Sequence, residues 1–92
     1  MNFEWDENKN QSNIEKHGYD FRDVVQIFTD EDLFVYPSSF ALEARNVAVS
    51  KFKGKYVALV YTVRTDAIRL ISALSARKKE VAAYEQAKRK NR

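Results

Sequence analysis

The stretch from Tyr56 to Val63 constrains the fold more than any other, because Val57, Leu59, Tyr61 and Val63 alternate with Ala58 and Val60. Both faces of the segment are therefore apolar, and such a strand should lie centrally in a sheet. Val47 to Phe52 precedes it across Lys53 and Gly54, and two apolar runs joined by so short a turn read as a β-hairpin. Leu33 to Tyr36 reads as a further strand closed by Pro37, with Ser38, Ser39 and Phe40 in a loop leading to Arg45. Thr65 and Asp66 make a turn into another strand, Ala67 to Leu74.

The remaining segments carry helix signals. Phe3 to Trp5 reads as a short strand, after which Asp6 can cap a helix running toward Lys16 and ended by Gly18 in the left-handed conformation. That helix is polar except at Ile14, so it must lie on the surface with one narrow buried stripe. Asp20 can cap a second helix, in which Phe21, Val24, Val25 and Phe28 recur at i, i+3, i+4 and i+7. Ser75 can cap a last helix through about Lys90. Two N-terminal helices, an antiparallel sheet of about four strands and one C-terminal helix define an α+β class. No repeat or Pro/Gly-rich linker interrupts the chain, so residues 1–92 read as one domain.

Composition narrows the chemistry. Without cysteine there are no disulfides or thiolate metal sites, and without an apolar run near the ~18 residues of a membrane span the expectation is a soluble, cytoplasmic protein. The net charge of +3 hides a segregation: residues 1–43 hold 3 Lys/Arg against 10 Asp/Glu, and residues 44–92 hold 13 against 3. The basic half suits an anionic partner, nucleic acid foremost, although a solvated basic helix would give the same count.

If the anionic partner were RNA, its cleavage without a metal would need a base for the 2′-hydroxyl, an acid for the leaving oxygen and cations for the phosphorane between them. His17, the only histidine, has an unperturbed pKa of about 6.5 and can exchange a proton near neutrality. Lys9, Asn13 and Lys16 or His17 recur at helical spacing and line one face of the first helix, where they can grip a phosphate. Arg45, Arg64 and Arg69 lie on or beside strands and offer guanidinium forks for phosphate oxygens, with Arg77 at the start of the last helix a further contributor. Duties without chemistry fit the same residues. A histidine before a helix-ending glycine can cap the last carbonyls, and the arginines can pair with Asp6, Glu43 or Glu80. Trp5 and Tyr84 read first as core residues.

Trp5, Asp6, Lys9, Asn13, Lys16, His17, Gly18 and Phe21 also form a spaced motif, followed by Glu43 with Arg45, then Arg64, then Arg69, Ile71, Ser72 and Ala73, and finally Ala76, Glu80 and Tyr84. In this pattern the chain resembles the BrnT family of bacterial toxins from Phe3 to about Tyr84. The resemblance implies a RelE-like fold and a metal-independent endoribonuclease that blocks translation. His17, Lys9, Arg45, Arg64 and Arg69 would be catalytic and Lys16 would hold RNA phosphate, while Arg77, which the motif does not include, is a further phosphate-binding candidate from its place at the start of the last helix. The resemblance also implies no cofactor, and a cognate ribbon-helix-helix antitoxin in a two-plus-two assembly that meets operator DNA through the antitoxin. Leu74 departs from the family's Ser-Ala-Arg segment, as do Val81 and Ser50 from its usual arginine and glycine. The second reading is therefore a catalytically weakened or inactive homologue that serves as an antitoxin-binding, co-repressor module.

Overall fold

The computed structural model describes residues 1–40 and 43–91. Along the chain these form β1 (Phe3–Glu4), α1 (Glu7–His17), α2 (Phe21–Val24) continuing as a 3₁₀ segment (Val25–Thr29), β2 (Phe34–Phe40), β3 (Glu43–Phe52), β4 (Lys55–Val63), β5 (Ile68–Ser75) and α3 (Lys78–Lys90). The sheet order is β1-β5-β4-β3-β2, so the doubly apolar strand β4 is the central one. Its hairpin with β3 turns at Lys53 and Gly54, whose φ values of 51° and 80° match the right-handed twist of the flanking strands.

Three expectations need correction. The sheet has five strands and is mixed, because β1 pairs in parallel with β5 through Phe3↔Ile68 and Glu4↔Arg69. β2 does not close at Pro37 but runs on to Phe40, pairing Pro37 with Asn46. Proline is tolerated there because β2 is an edge strand and the missing N–H faces no partner. Ser38 and Phe40 are thus strand residues, and the part of the expected loop at 41–42 lies outside the described residues. Finally, Ser75 is paired with Val57 inside β5, and the residue before α3 is Arg77, whose N–H donates to Glu80 Oε1 at 2.8 Å.

The two faces of the sheet carry separate cores. On one, Phe21, Val24 and Ile27 pack against Ala48, Val57, Leu59 and Leu70. Val25 and Phe28 pack on the same core partly buried, so the expected stripe is present, and Ile27 joins it at the three-residue period of the 3₁₀ segment that α2 becomes. On the other face, Tyr84 of α3 packs with Val47, Val49 and Ala58. Among the described residues no helix is long and apolar enough to cross a membrane.

A polar clasp ties α3 to the sheet. The Tyr84 hydroxyl donates to Asp30 Oδ2 at 2.7 Å, and the buried Ser50 hydroxyl donates to the same oxygen at 2.6 Å. Burial alone would push the Asp30 carboxyl upward, but these two bonds, with the Asp32 N–H and nearby Lys88, hold it below the ordinary carboxylate value. Burial and the adjoining Asp30 carboxylate push the Tyr84 phenol up from 10.0 to about 12.

Because the folded state keeps the Tyr84 proton longer than the unfolded chain does, this stability is complete below pH 10.0 and is lost as pH rises toward about 12. Denaturant titrations across that range should show a steeper alkaline loss in the native chain than in Tyr84→Phe. Equal slopes would mean that the clasp does not carry the titration.

Candidate active site

α1 is set in place by its ends. Asp6 Oδ1 accepts from the N–H groups of Asn8 and Lys9 at 2.8 and 3.2 Å, and Gly18, at φ 78°, closes the helix with its N–H on the Ile14 carbonyl at 2.8 Å. The buried stripe expected at Ile14 belongs instead to two asparagines, Asn10 at 0% and Asn13 at 6% exposure. Asn10 Oδ1 accepts from Phe21 N–H at 2.9 Å and its Nδ2 donates to Asp20 Oδ1 at 3.0 Å, joining α1 to α2. Asn13 Nδ2 donates to the carbonyls of Ala73 and Tyr19, each at 2.9 Å, while its Oδ1 accepts from Ala73 N–H at 3.0 Å.

Ala73 lies on β5 beyond the two residues that β1 pairs, so its outward N–H and C=O have no strand to meet. The Asn13 carboxamide supplies both partners and anchors α1 along that edge. Carboxamide pairing thus does for this helix what an apolar stripe does for most.

Anchored in this way, α1 turns Lys9, Ser12, Asn13, Lys16 and His17, at i, i+3, i+4, i+7 and i+8, toward an open groove of about 390 Å³. Ile71 and Ser72 of β5 and Arg45 of β3 complete it. The register explains the β5 contribution: Val60 faces Ser72 and Tyr61 faces Leu70, leaving Ile71 as the extra residue of a bulge. A bulge re-aims side chains, and here both Ile71 and Ser72 line the groove. Lys9, Lys16 and His17 are exposed, and among the described residues no carboxylate lines the concavity. Arg45 is three-quarters buried and contacts Glu43 Oε2 at 3.3 Å beside it.

The groove therefore gathers Lys9, Lys16, His17 and Arg45 of the residues expected at a site. Arg69 lies one register step away, opposite Thr62, with its guanidinium on Glu4 at 2.8 Å. Arg64 stands apart in the β4–β5 turn, lining a hollow with Met1, Val63 and Ile68. Arg77 lines a different cleft, where it donates to the Tyr36 hydroxyl at 3.3 Å. In that cleft Glu80 accepts from Tyr36 and from the Arg77 N–H. Burial would raise the Glu80 carboxyl, but these bonds and the Arg77 guanidinium hold it low, while burial and Glu80 raise the Tyr36 phenol. Ser12 is absent from the sequence reading, although it falls on the same helical stripe as Lys9 and Lys16, while Ile71 and Ser72 enter it only as members of the spaced motif, because their place in the groove depends on the bulge, for which the chain carries no local signal.

The arrangement is a cationic trough with one imidazole, suited to an anion whose protons must be moved. A family model described as ribonuclease toxin, BrnT, of type II toxin-antitoxin system matches residues 5–80, a span that includes every residue lining the groove. No curated protein matches the chain.

Asn13→Ala leaves Ala73 N–H and C=O unpaired and should destabilise the protein by about 2–6 kcal/mol, since each buried polar group left without a partner costs about 1–3 kcal/mol. Urea unfolding measures this directly. A loss below about 0.5 kcal/mol, the range of an ordinary surface substitution, would show that the edge is satisfied by water and that the carboxamide is dispensable.

Proposed function

The chain belongs to the BrnT family of type II toxin-antitoxin ribonuclease toxins, and on that premise we propose that it is a metal-independent endoribonuclease whose reaction takes place in the groove between α1 and β5. The observation that carries this reading is the stripe of Lys9, Lys16 and His17 facing Arg45 across an open trough whose described lining residues include no carboxylate. Such a lining repels a divalent cation and attracts a phosphodiester.

In this reading Lys9, Lys16 and Arg45 hold the scissile phosphate and favour the extra charge of the phosphorane. His17 takes the 2′-hydroxyl proton as O2′ bonds to phosphorus. The bond to the 5′-oxygen breaks as that oxygen accepts a proton from a lysine ammonium, leaving a cyclic phosphate and a free 5′-hydroxyl. Arg69 adds charge from the neighbouring row when it exchanges Glu4 for substrate. Arg64 and Arg77, which do not line the groove, have no part in this step.

The family implies an antitoxin partner. We take it to be a cognate ribbon-helix-helix protein in a two-plus-two assembly, which covers the cationic trough, brings the pair to operator DNA and keeps translation running in the cytoplasm until released. An acidic segment laid over Lys9, Lys16 and Arg45 is sufficient for inhibition.

The second reading, a weakened or silent homologue kept for antitoxin binding and co-repression, is favoured by one observation. Leu74 lies in the row Leu74–Ala58–Val49–Phe34, where it extends an apolar surface and supplies no charge.

Cleavage of a labelled RNA by the partner-free chain in EDTA separates the two. We expect cleavage by the native protein and a fall of roughly 10²–10⁴-fold in His17→Ala. Native protein that is inert, with cleavage appearing in Leu74→Arg, would establish the co-repressor reading instead.

A further inference from the structure

Between β2 and the first turns of α3 lies a concavity larger than the groove, about 650 Å³ against about 390 Å³. Phe34 and Tyr36 of β2 and Ala83 of α3 give it apolar walls, and Arg77, Lys78 and Lys79 stand around it. The one carboxylate among its described lining residues, Glu80, is 7% exposed and already accepts from the Tyr36 hydroxyl and the Arg77 N–H. The cleft therefore presents half-buried aromatic rings within a rim of three cations. The Phe34 and Tyr36 ring centroids are 5.9 Å apart.

Its position follows from the sheet. Ser72 pairs with Val60, Val60 with Val47 and Val47 with Tyr36, so one cross-strand row on one face joins a residue of the groove to a residue of the cleft. Three inter-strand spacings separate them, about 14 Å. Arg45, on β3 two residues before Val47, stands at the groove end of this path, and Arg77, with 78% of its side chain exposed, stands at the cleft end.

Aromatic surface for stacking combined with cations for a backbone is the pairing that recognises single-stranded nucleic acid. Resting on the ribonuclease reading above, we infer that this cleft is a second nucleotide subsite: it stacks a base a few nucleotides away from the phosphate held in the groove, while Arg77, Lys78 and Lys79 neutralise that nucleotide's phosphate. The cleft would then choose among RNA strands by stacking, while the groove acts on whatever backbone is presented.

The test uses the full chain and two non-cleavable 2′-O-methyl RNAs, a dinucleotide and an octanucleotide, with binding followed by fluorescence anisotropy. The octanucleotide should bind roughly tenfold or more tightly than the dinucleotide, as one stacked base provides. The double variant Lys78→Glu, Lys79→Glu should lose that advantage while binding the dinucleotide as before. Both lysines are exposed, so the fold should survive, and circular dichroism checks it. A 2-aminopurine placed along the octanucleotide should be quenched at one position in the native chain and not in Phe34→Ala.

An octanucleotide advantage that persists in the double variant would overturn the subsite and leave the ribonuclease reading standing, provided dinucleotide binding still falls in Lys9→Ala. Failure of both RNAs to bind the native chain would overturn both. If the double variant binds RNA normally but loses an acidic antitoxin, the cleft is a protein site and the inference is wrong.

Discussion

One side-chain amide holds the working geometry together. β1 covers β5 for only two residues, and past Arg69 the outer edge of β5 would offer its N–H and C=O groups to whatever came near. Asn13 meets both groups of Ala73 and, through its second amide hydrogen, the Tyr19 carbonyl at the start of the next segment. The position of α1, the wall it forms and the spacing between its cations and the β5 bulge all follow from that contact. An apolar residue at position 13 could bury area against the strand, but it could not pair with both groups or fix the helix at one residue along β5.

The opposite helix is held by a different balance. α3 buries Tyr84 at 3% exposure against the second core, and its phenol and the Ser50 hydroxyl converge on Asp30. Glu80, one turn earlier, is buried under Tyr36 and its own helix start. Two carboxylates thus remain charged at the margins of the core, because each receives enough donors to offset its loss of water. The acidic residues of the first half are drawn into such pairing, as with Glu4 on Arg69 and Glu43 on Arg45. The cations of α1 have no such partners among the described residues, and that imbalance leaves the groove cationic.

What could be read in advance divides along physical lines. The β3–β4 hairpin, the central place of β4, the Asp6 and Asp20 caps and the Gly18 stop are local features, written in residues adjacent to where they act. The parallel pairing of β1, the continuation of β2 through Pro37 and the start of α3 at Arg77 depend on which neighbour a strand acquires. At the site, the helical stripe gave Lys9, Lys16 and His17 by spacing alone. Arg45, Arg64, Arg69 and Arg77 were equivalent as sequence, and only the sheet register distinguishes the arginine that joins the stripe from those at a turn, beside Glu4 and in the second cleft. The burial of Asn10 and Asn13 in place of Ile14 was hidden because polar residues score as exposed unless their partners are known.

The Asn13–Ala73 contact spans sixty residues of chain, whereas the β3–β4 hairpin closes over Lys53 and Gly54. Local pairings form early, and closures of long loops follow once the elements they join exist. During synthesis the cationic face of α1 emerges first and has no strand to dock on until β5 has been made. The trough is accordingly completed late in folding, only once β5 is in place to receive α1.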